Sequence, residues 1–185
     1  KVPIRPGSGP EVMPGPHDTF AGYGLAWALT SNAPLRDTKQ SAYEGGIRTP
    51  LIARWPEVIT DHGSITRQPG HVMDVMATCL DVAGIDYPSE FQKRRPVPME
   101  GRSLVPILRG RQREPHELIA WKCSRGRAIQ MGDWKLVRPR DDRPWELYQL
   151  ANDIGETTDL AKNFPGRVND MTIRYEEWRQ RVGAK

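Results

Sequence analysis

The stretch that decides the fold is residues 32–56, NAPLRDTKQSAYEGGIRTPLIARWP, in which a polar loop runs directly into a short apolar segment. Two adjacent glycines, Gly45 and Gly46, allow a positive φ or a close approach between backbone segments. The run Leu51-Ile52-Ala53 is apolar and bounded by prolines, which predicts a buried strand. Because functional groups are often held on a loop beside a rigid sheet, this stretch is the first candidate for a site.

The composition is that of a globular chain. Of the 185 residues, 37% are hydrophobic and 27% are charged, which is sufficient for a packed core. The net charge of +4 is small, and the basic residues are scattered, so we expect no nucleic-acid partner. No stretch approaches the roughly 18 apolar residues of a membrane span. The chain opens in a loop-like segment without a Met, which suggests a fragment or a processed chain.

The first half of the chain contains one clear helical pattern. Over residues 71–83 the apolar side chains recur at steps of three and four, which predicts one buried face that includes the thiol of Cys79. Gly84 is expected to end this helix. Asp74 and Asp81 fall on the opposite side, where we expect them to be solvated. Residues 103–108 predict a short second helix, whereas residues 19–30 are interpreted as a packed loop in preference to a helix.

The second half has the pattern of a small sheet with one helix. Residues 127–131 and 134–138 alternate in polarity around Gly132-Asp133, which predicts a β-hairpin. Further strands are expected over residues 117–122 and 145–150. A helix beginning at Pro165 carries an apolar stripe wide enough to cover one face of the sheet. Together they predict an antiparallel sheet of about four strands packed against a long C-terminal helix.

Several segments resemble the sulfatases of the alkaline-phosphatase-like superfamily. The segment LRDTKQSAYEGGIRTPLIARWP is similar to the family's active-site Lys, acidic-Gly-Gly turn and following strand. Three more segments agree in order: HVMDVMATCLDVAG, MEGRSL and WELYQLANDIGETTDL, the last with Ile154 where the family usually has Pro. The resemblance implies an α/β catalytic-domain remnant over residues 1–110 and an α+β subdomain over residues 111–185. It also implies that the chain is the C-terminal portion of an arylsulfatase-like enzyme.

The resemblance implies chemistry that lies mostly outside this chain. Sulfatases hydrolyse sulfate esters with a formylglycine made from a C-x-P-x-R motif and with a divalent metal, Ca²⁺. Neither Cys79 nor Cys123 begins such a motif, and no Asp-Asn pair precedes Lys39. We therefore expect no metal ligands here, and we expect the fragment alone to be inactive. The family also implies a sulfate-ester small molecule or glycan as substrate, and a periplasmic or secreted location.

The resemblance assigns one residue of this chain to the active site. Lys39 matches the family's sulfate-contacting Lys, and an ammonium group suits a sulfate oxygen and a developing charge on the leaving group. His17 is a second candidate for substrate binding, although a surface position is the alternative interpretation. Arg36 and Arg48 are interpreted as structural or ion-pairing residues. Glu44 is expected to bind backbone N–H groups of the glycine turn.

Two other functions are compatible with the sequence. A phosphodiesterase or phosphonate hydrolase of the same superfamily would share the motifs. A non-catalytic interaction module is also considered, because a truncated sheet would expose an apolar face and a strand edge that favour self-association.

Overall fold

The computed structural model describes residues 3–7, 10–12, 15–20, 22, 24–123 and 126–184. The chain divides into two compact units: residues 1–48 with 120–185, and residues 49–119. The boundary at residues 110–111 stays a prediction. No helix in the described residues has both the length and the apolar composition that crossing a bilayer requires.

A four-stranded antiparallel sheet forms the centre of the first unit. Its strands are β3 (Ile119–Cys123), β4 (Gly126–Met131), β5 (Trp134–Arg138) and β6 (Glu146–Gln149), in the order β3-β4-β5-β6. Met131 pairs with Trp134 across the tight turn at Gly132, whose φ of 58° suits glycine. The predicted hairpin is therefore confirmed, and all four predicted strands are present.

The C-terminal helix α5 (Pro165–Arg181) covers one face of this sheet. The side chains of Ile129, Leu136 and Leu147 stand opposite one another on adjacent strands and are fully buried. Met171 and Tyr175 are the buried residues of the helix, at a spacing of four that keeps them on one side. The fold class of antiparallel sheet and C-terminal helix is confirmed.

The segment just before residue 45 covers the opposite face of the sheet. Ala42 and Tyr43 pack with Ala128, Val137 and Tyr148 in one buried cluster. Because side chains alternate along a strand, Lys135 also points to this second face, and its exposed fraction is 0%. The sheet is thus buried on both sides.

The N-terminal part of the first unit is mostly exposed. Two-residue strands β1 (Arg5–Pro6) and β2 (Thr19–Phe20) pair in parallel. Helix α1 (Gly24–Asn32) follows, and the short helix α2 (Glu44–Ile47) contains the two adjacent glycines. The prediction of a packed loop over residues 19–30 is wrong, because the Leu, Ala and Trp residues after Gly24 continue without a breaker and favour a helix.

The second unit contains helices α3 (Met73–Ala83) and α4 (Val105–Leu108). Both predicted helices are confirmed, and Gly84 ends α3 with a φ of 64°. The predicted buried strand at Leu51-Ile52-Ala53 is wrong: the run forms no strand, and Ile52 is 90% exposed. A strand requires a partner for its backbone groups, and the only pairing within residues 49–118 is one isolated bridge, between Phe91 and Arg94.

The apolar side of α3 also differs from prediction. Val72, Val75 and Met76 are exposed, and so is Cys79, which was expected to be buried. Asp74 was expected to be solvated but is completely buried. Its carboxylate gathers four donors, which outweigh the cost of burying it and turn this side of the helix inward.

Candidate functional site

Lys39 lies on a loop whose backbone conformation is unusual. Asp37 and Gln40, on either side of it, have φ values of 67° and 74°. Asp tolerates this region, but Gln rarely adopts it. The Asn32 amide donates hydrogen bonds to the carbonyl oxygens of Asp37 (2.9 Å) and Gly45 (2.7 Å). Such strained conformations persist only where the surroundings hold them, so the loop is fixed rather than free.

The two glycines of α2 let this loop pack directly on the helix. A Cβ on Gly45 would lie 2.2 Å from the carbonyl oxygen of Asp37, and one on Gly46 would lie 2.2 Å from that of Ser41. The Gly45 N–H donates to the carbonyl of Arg36 at 2.8 Å. Of the two uses predicted for these glycines, the structure therefore shows the close approach between backbone segments.

A buried ion cluster joins α2 to the sheet. The Lys135 Nζ donates a hydrogen bond to Glu44 Oε1 at 2.8 Å and lies 2.8 Å from Glu156 Oε1. The Glu44 N–H donates to Glu156 Oε2 at 2.6 Å. Arg48 completes the cluster, 3.3 Å from Glu44 Oε2. Glu44 thus binds side-chain cations rather than the backbone N–H groups predicted for it, and Arg48 has the ion-pairing role expected of it.

Glu156 is the most constrained carboxylate of this cluster. Burial raises its pKa, while the nearby Lys135 ammonium and the Glu44 N–H counteract the rise. The pKa nevertheless stays above the ordinary value. The charge of Glu156 therefore depends on Lys135, and the cluster stabilises the fold only while both partners are present.

A second network fixes the start of the loop. Arg36 Nη1 donates to the Tyr148 hydroxyl oxygen at 2.8 Å and to the Glu156 carbonyl at 2.9 Å, and its guanidinium lies 4.0 Å over the Tyr43 ring. Both tyrosine hydroxyls donate to Glu146 Oε2. Burial, reinforced by Glu146, raises the pKa of both phenols, so they remain neutral. The position of Arg36 agrees with its predicted structural role.

The loop and the sheet together border a surface depression of about 410 Å³. Its walls come from the Lys39 loop on one side and from the ends of β4 and β5 on the other. The lining residues are Asp37, Lys39, Gln40, Ser41, Gly126, Pro139 and Arg140. The side chain of Lys39 makes no ion pair with the other described residues. The depression therefore presents an ammonium group that is available to an anion.

The structure does not bring the two predicted site residues together. His17 is exposed just before β2 and does not line the depression. Its predicted substrate contact stays a prediction, as does the role of Lys39. Sequence reasoning missed Lys135, Glu156 and Arg140, because the residues that they contact or face are distant in the chain.

The second unit has its own buried charge network, centred on Asp74. Its Oδ1 accepts from the Arg102 N–H and His116 Nε2, both at 2.8 Å. Its Oδ2 accepts from the His71 N–H at 2.8 Å and Arg113 Nη2 at 2.9 Å. Burial alone would raise the pKa of Asp74, but these donors lower it from 3.8 to about 2. All four carboxylate contacts are internal, so the network is structural.

We expect the second unit to lose stability in acid through Asp74. Because its pKa is lower in the folded chain than the ordinary 3.8, the stabilisation is complete above about pH 4 and disappears as the pH falls toward about 2. The expected loss is on the order of 2 kcal/mol, measured by amide hydrogen exchange of α3 against pH. Asp74→Asn should remove this dependence, whereas Asp86→Asn, at an exposed position, should keep it. An unchanged profile in Asp74→Asn would contradict the assignment.

The question of a metal centre concerns only the part of the chain that the structure describes. Those residues contain no group of three or more His, Cys, Asp and Glu side chains placed to bind an ion. The carboxylates at the centre of the two buried networks, Asp74 and Glu44, are already paired with Arg113 and Lys135. The residues present therefore do not fit a metal centre.

Comparison with known proteins identifies the class as the sulfatases. An uncharacterized sulfatase of Schizosaccharomyces pombe is 34% identical over 167 residues, covering 87% of this chain and 30% of the relative. A sulfatase of Formosa agariphila is 33% identical over 161 residues, covering 78% and 28%. The crystal structure of Ps i-CgsB in complex with k-i-k-neocarrahexaose aligns with a TM-score of 0.63 and 26% identity, covering 80% and 32%.

The family described as N-sulphoglucosamine sulphohydrolase, C-terminal, matches residues 37–177. That span includes the Lys39 loop, the four-stranded sheet and most of α5. The chain belongs to this family and corresponds to the C-terminal region of a sulfatase with the alkaline-phosphatase-like fold. It spans less than a third of the length of the curated relatives named above.

Proposed function

We propose that the chain is the C-terminal part of a sulfuric-ester hydrolase and that Lys39 contacts the sulfate group of its substrate. The observation that carries this proposal is the position of Lys39 in the depression, without an ionic partner among the described residues. A compact ammonium group can neutralise a sulfate oxygen and the charge that develops on the leaving oxygen. The match of the family to the Lys39 loop supports the same role.

The nucleophile and the metal belong to the proposal for the complete enzyme. By family resemblance they are a formylglycine and a divalent cation, Ca²⁺, outside this chain. What this chain contributes is the ammonium group of Lys39, held by the glycine packing and the Lys135 cluster. The phosphodiesterase or phosphonate-hydrolase alternative is not favoured, because the family and the two curated relatives are sulfatases.

The test compares this chain with the complete enzyme on 4-nitrophenyl sulfate. The chain alone should give no turnover above background, and Lys39→Ala in the complete enzyme should lower kcat/KM by about 10²–10³-fold. Lys162→Ala, which removes the same charge from an exposed turn, should stay within about twofold. Turnover by the chain alone, or full activity in Lys39→Ala, would rule out the proposal.

The substrate, location and association state are further proposals. Ps i-CgsB was crystallised with a neocarrahexaose, which supports a sulfated glycan as the substrate class. A periplasmic or secreted location is proposed from family resemblance. Self-association is proposed for the isolated chain because Leu51, Ile52, Val72 and Met76 expose apolar surface in the second unit. A single monomeric species in sedimentation velocity at high concentration would count against it.

A further inference from the structure

The depression contains a second cation that neither the family match nor the sequence motifs assign. Arg140 lies just after β5 and lines the wall opposite the Lys39 loop. The two cations come from segments 101 residues apart in sequence (140 − 39), and the first unit contains both. Asp37 is the acidic residue among the lining, and its Oδ1 already accepts the Thr38 N–H at 2.9 Å. The side chains that line the depression therefore include two cations and one carboxylate.

The side chain of Arg140 has only a weak partner among the described residues. Arg36 and Arg48 are held by the networks described above, Arg127 pairs with Asp141 at 2.7 Å, and Arg138 donates to the carbonyls of Asp141 and Arg143. These guanidinium groups are committed to the fold. Among the described residues, the Arg140 side chain has one ion pair, at 3.5 Å with Asp142, and both side chains are at least half exposed. Such surface pairs contribute little, so a ligand anion can displace this one.

The backbone segments that form the two walls are closely packed. Gly45 and Gly46 pack against the carbonyl groups of the Lys39 loop. In the opposite wall, a Cβ added to Gly126 would lie only 3.0 Å from the Cβ of Ala42. Rigid elements give binding groups a defined geometry, which lowers the cost of ordering them on binding. The depression has a volume of about 410 Å³ and is open to solvent.

We infer that Arg140 forms a second anion subsite, which binds a sulfate or carboxylate group of the substrate other than the one bound by Lys39. The inference rests on the proposed function, because it takes Lys39 as the contact to the reacting sulfate. A guanidinium presents paired N–H donors that match the geometry of such anions. The substrate class is then a saccharide with at least two anionic groups, and Arg140 selects it over a saccharide with one.

The experiment is a titration of this chain with two probes, followed by backbone amide NMR shifts. One probe is a disaccharide with two sulfate groups, and the other is the same disaccharide with one. The wild-type chain should bind the disulfated probe about tenfold more tightly, as expected of one charge-assisted contact. Arg140→Ala should reduce that ratio to about twofold or less. Arg143→Ala, the same change at an exposed position three residues away, should leave the tenfold ratio intact.

Three results would overturn the subsite: equal binding of the two probes by the wild-type chain, an unchanged ratio in Arg140→Ala, and no binding of either probe. None of them decides the proposed hydrolase, which is judged separately by turnover of 4-nitrophenyl sulfate in the complete enzyme. A failure of the subsite inference and a failure of the hydrolase proposal therefore give different experimental results.

Discussion

Lys135→Met should destabilise the first unit by about 3–5 kcal/mol, the range found when one partner of a buried ion pair is removed. Methionine preserves the approximate volume and length of the side chain but removes the charge that neutralises Glu44 and Glu156. Glu44 retains Arg48, which is half exposed, whereas Glu156 retains only a backbone N–H. Urea unfolding followed by Trp fluorescence measures the loss, and hydrogen exchange of α2 locates it.

The cluster offers its own controls. The triple variant Lys135→Met with Glu44→Gln and Glu156→Gln removes all the buried charges, and it should recover much of the stability because no carboxylate is left unpaired. Lys162→Met, at an exposed position, should change stability by no more than about 0.5 kcal/mol. In Lys135→Met the loss should shrink in acid, since a buried carboxyl without a cation is better tolerated when protonated. A Lys135→Met variant as stable as the wild type would refute the role of the cluster.

Gly46→Ala should cost about 1–3 kcal/mol, as expected of an added methyl group with no room around it. Its Cβ would lie 2.2 Å from the carbonyl oxygen of Ser41 and 2.7 Å from that of Thr38. Both are backbone atoms that cannot rotate away, so the loop or the helix must move. We also expect the amide NMR signals of residues 36–46 to shift, because both carbonyls belong to the Lys39 loop.

Gly166→Ala is the matched control for that prediction. Gly166 lies in the first turn of α5, and a Cβ there would have nothing within 4 Å. Replacing a helical glycine by alanine in open space should stabilise the chain by about 0.5–1 kcal/mol. Two identical substitutions should therefore change the free energy of unfolding in opposite directions. If both variants were equally stable, the packing of the loop on α2 would not be as described.

The second half of the chain was predictable because its signals are local. The β4–β5 hairpin follows from alternating residues around Gly132-Asp133, and α5 follows from Pro165 and a stripe with helical spacing. The hairpin pattern depends on residues that are close in sequence, and the helical stripe depends on one buried face of a single helix. The Lys39 loop was recognised in a different way, by resemblance to a family, and its role is still a proposal.

The failures occur where the environment comes from distant segments. Lys135 occupies a strand position that alternation alone cannot distinguish from a solvent-facing one, and its partner Glu44 lies 91 residues away. Asp74 looked solvated because its donors Arg102, Arg113 and His116 follow 28 to 42 residues later. The apolar run at Leu51-Ile52-Ala53 looked buried, yet residues 49–119 provide no strand to pair with it.

The sequence by itself determined the secondary structure of the sheet and its helix, the membership of the sulfatase family, and the Lys that faces the depression. Only the tertiary structure decided which charges are buried, which cations of the described residues line the depression, and why two glycines must stand together after the loop. The physical reason is the range of the interactions. Helical and strand periodicity depends on neighbouring residues, whereas the cost of burying a charge and the steric limit at a glycine depend on atoms that the chain brings together only when it folds.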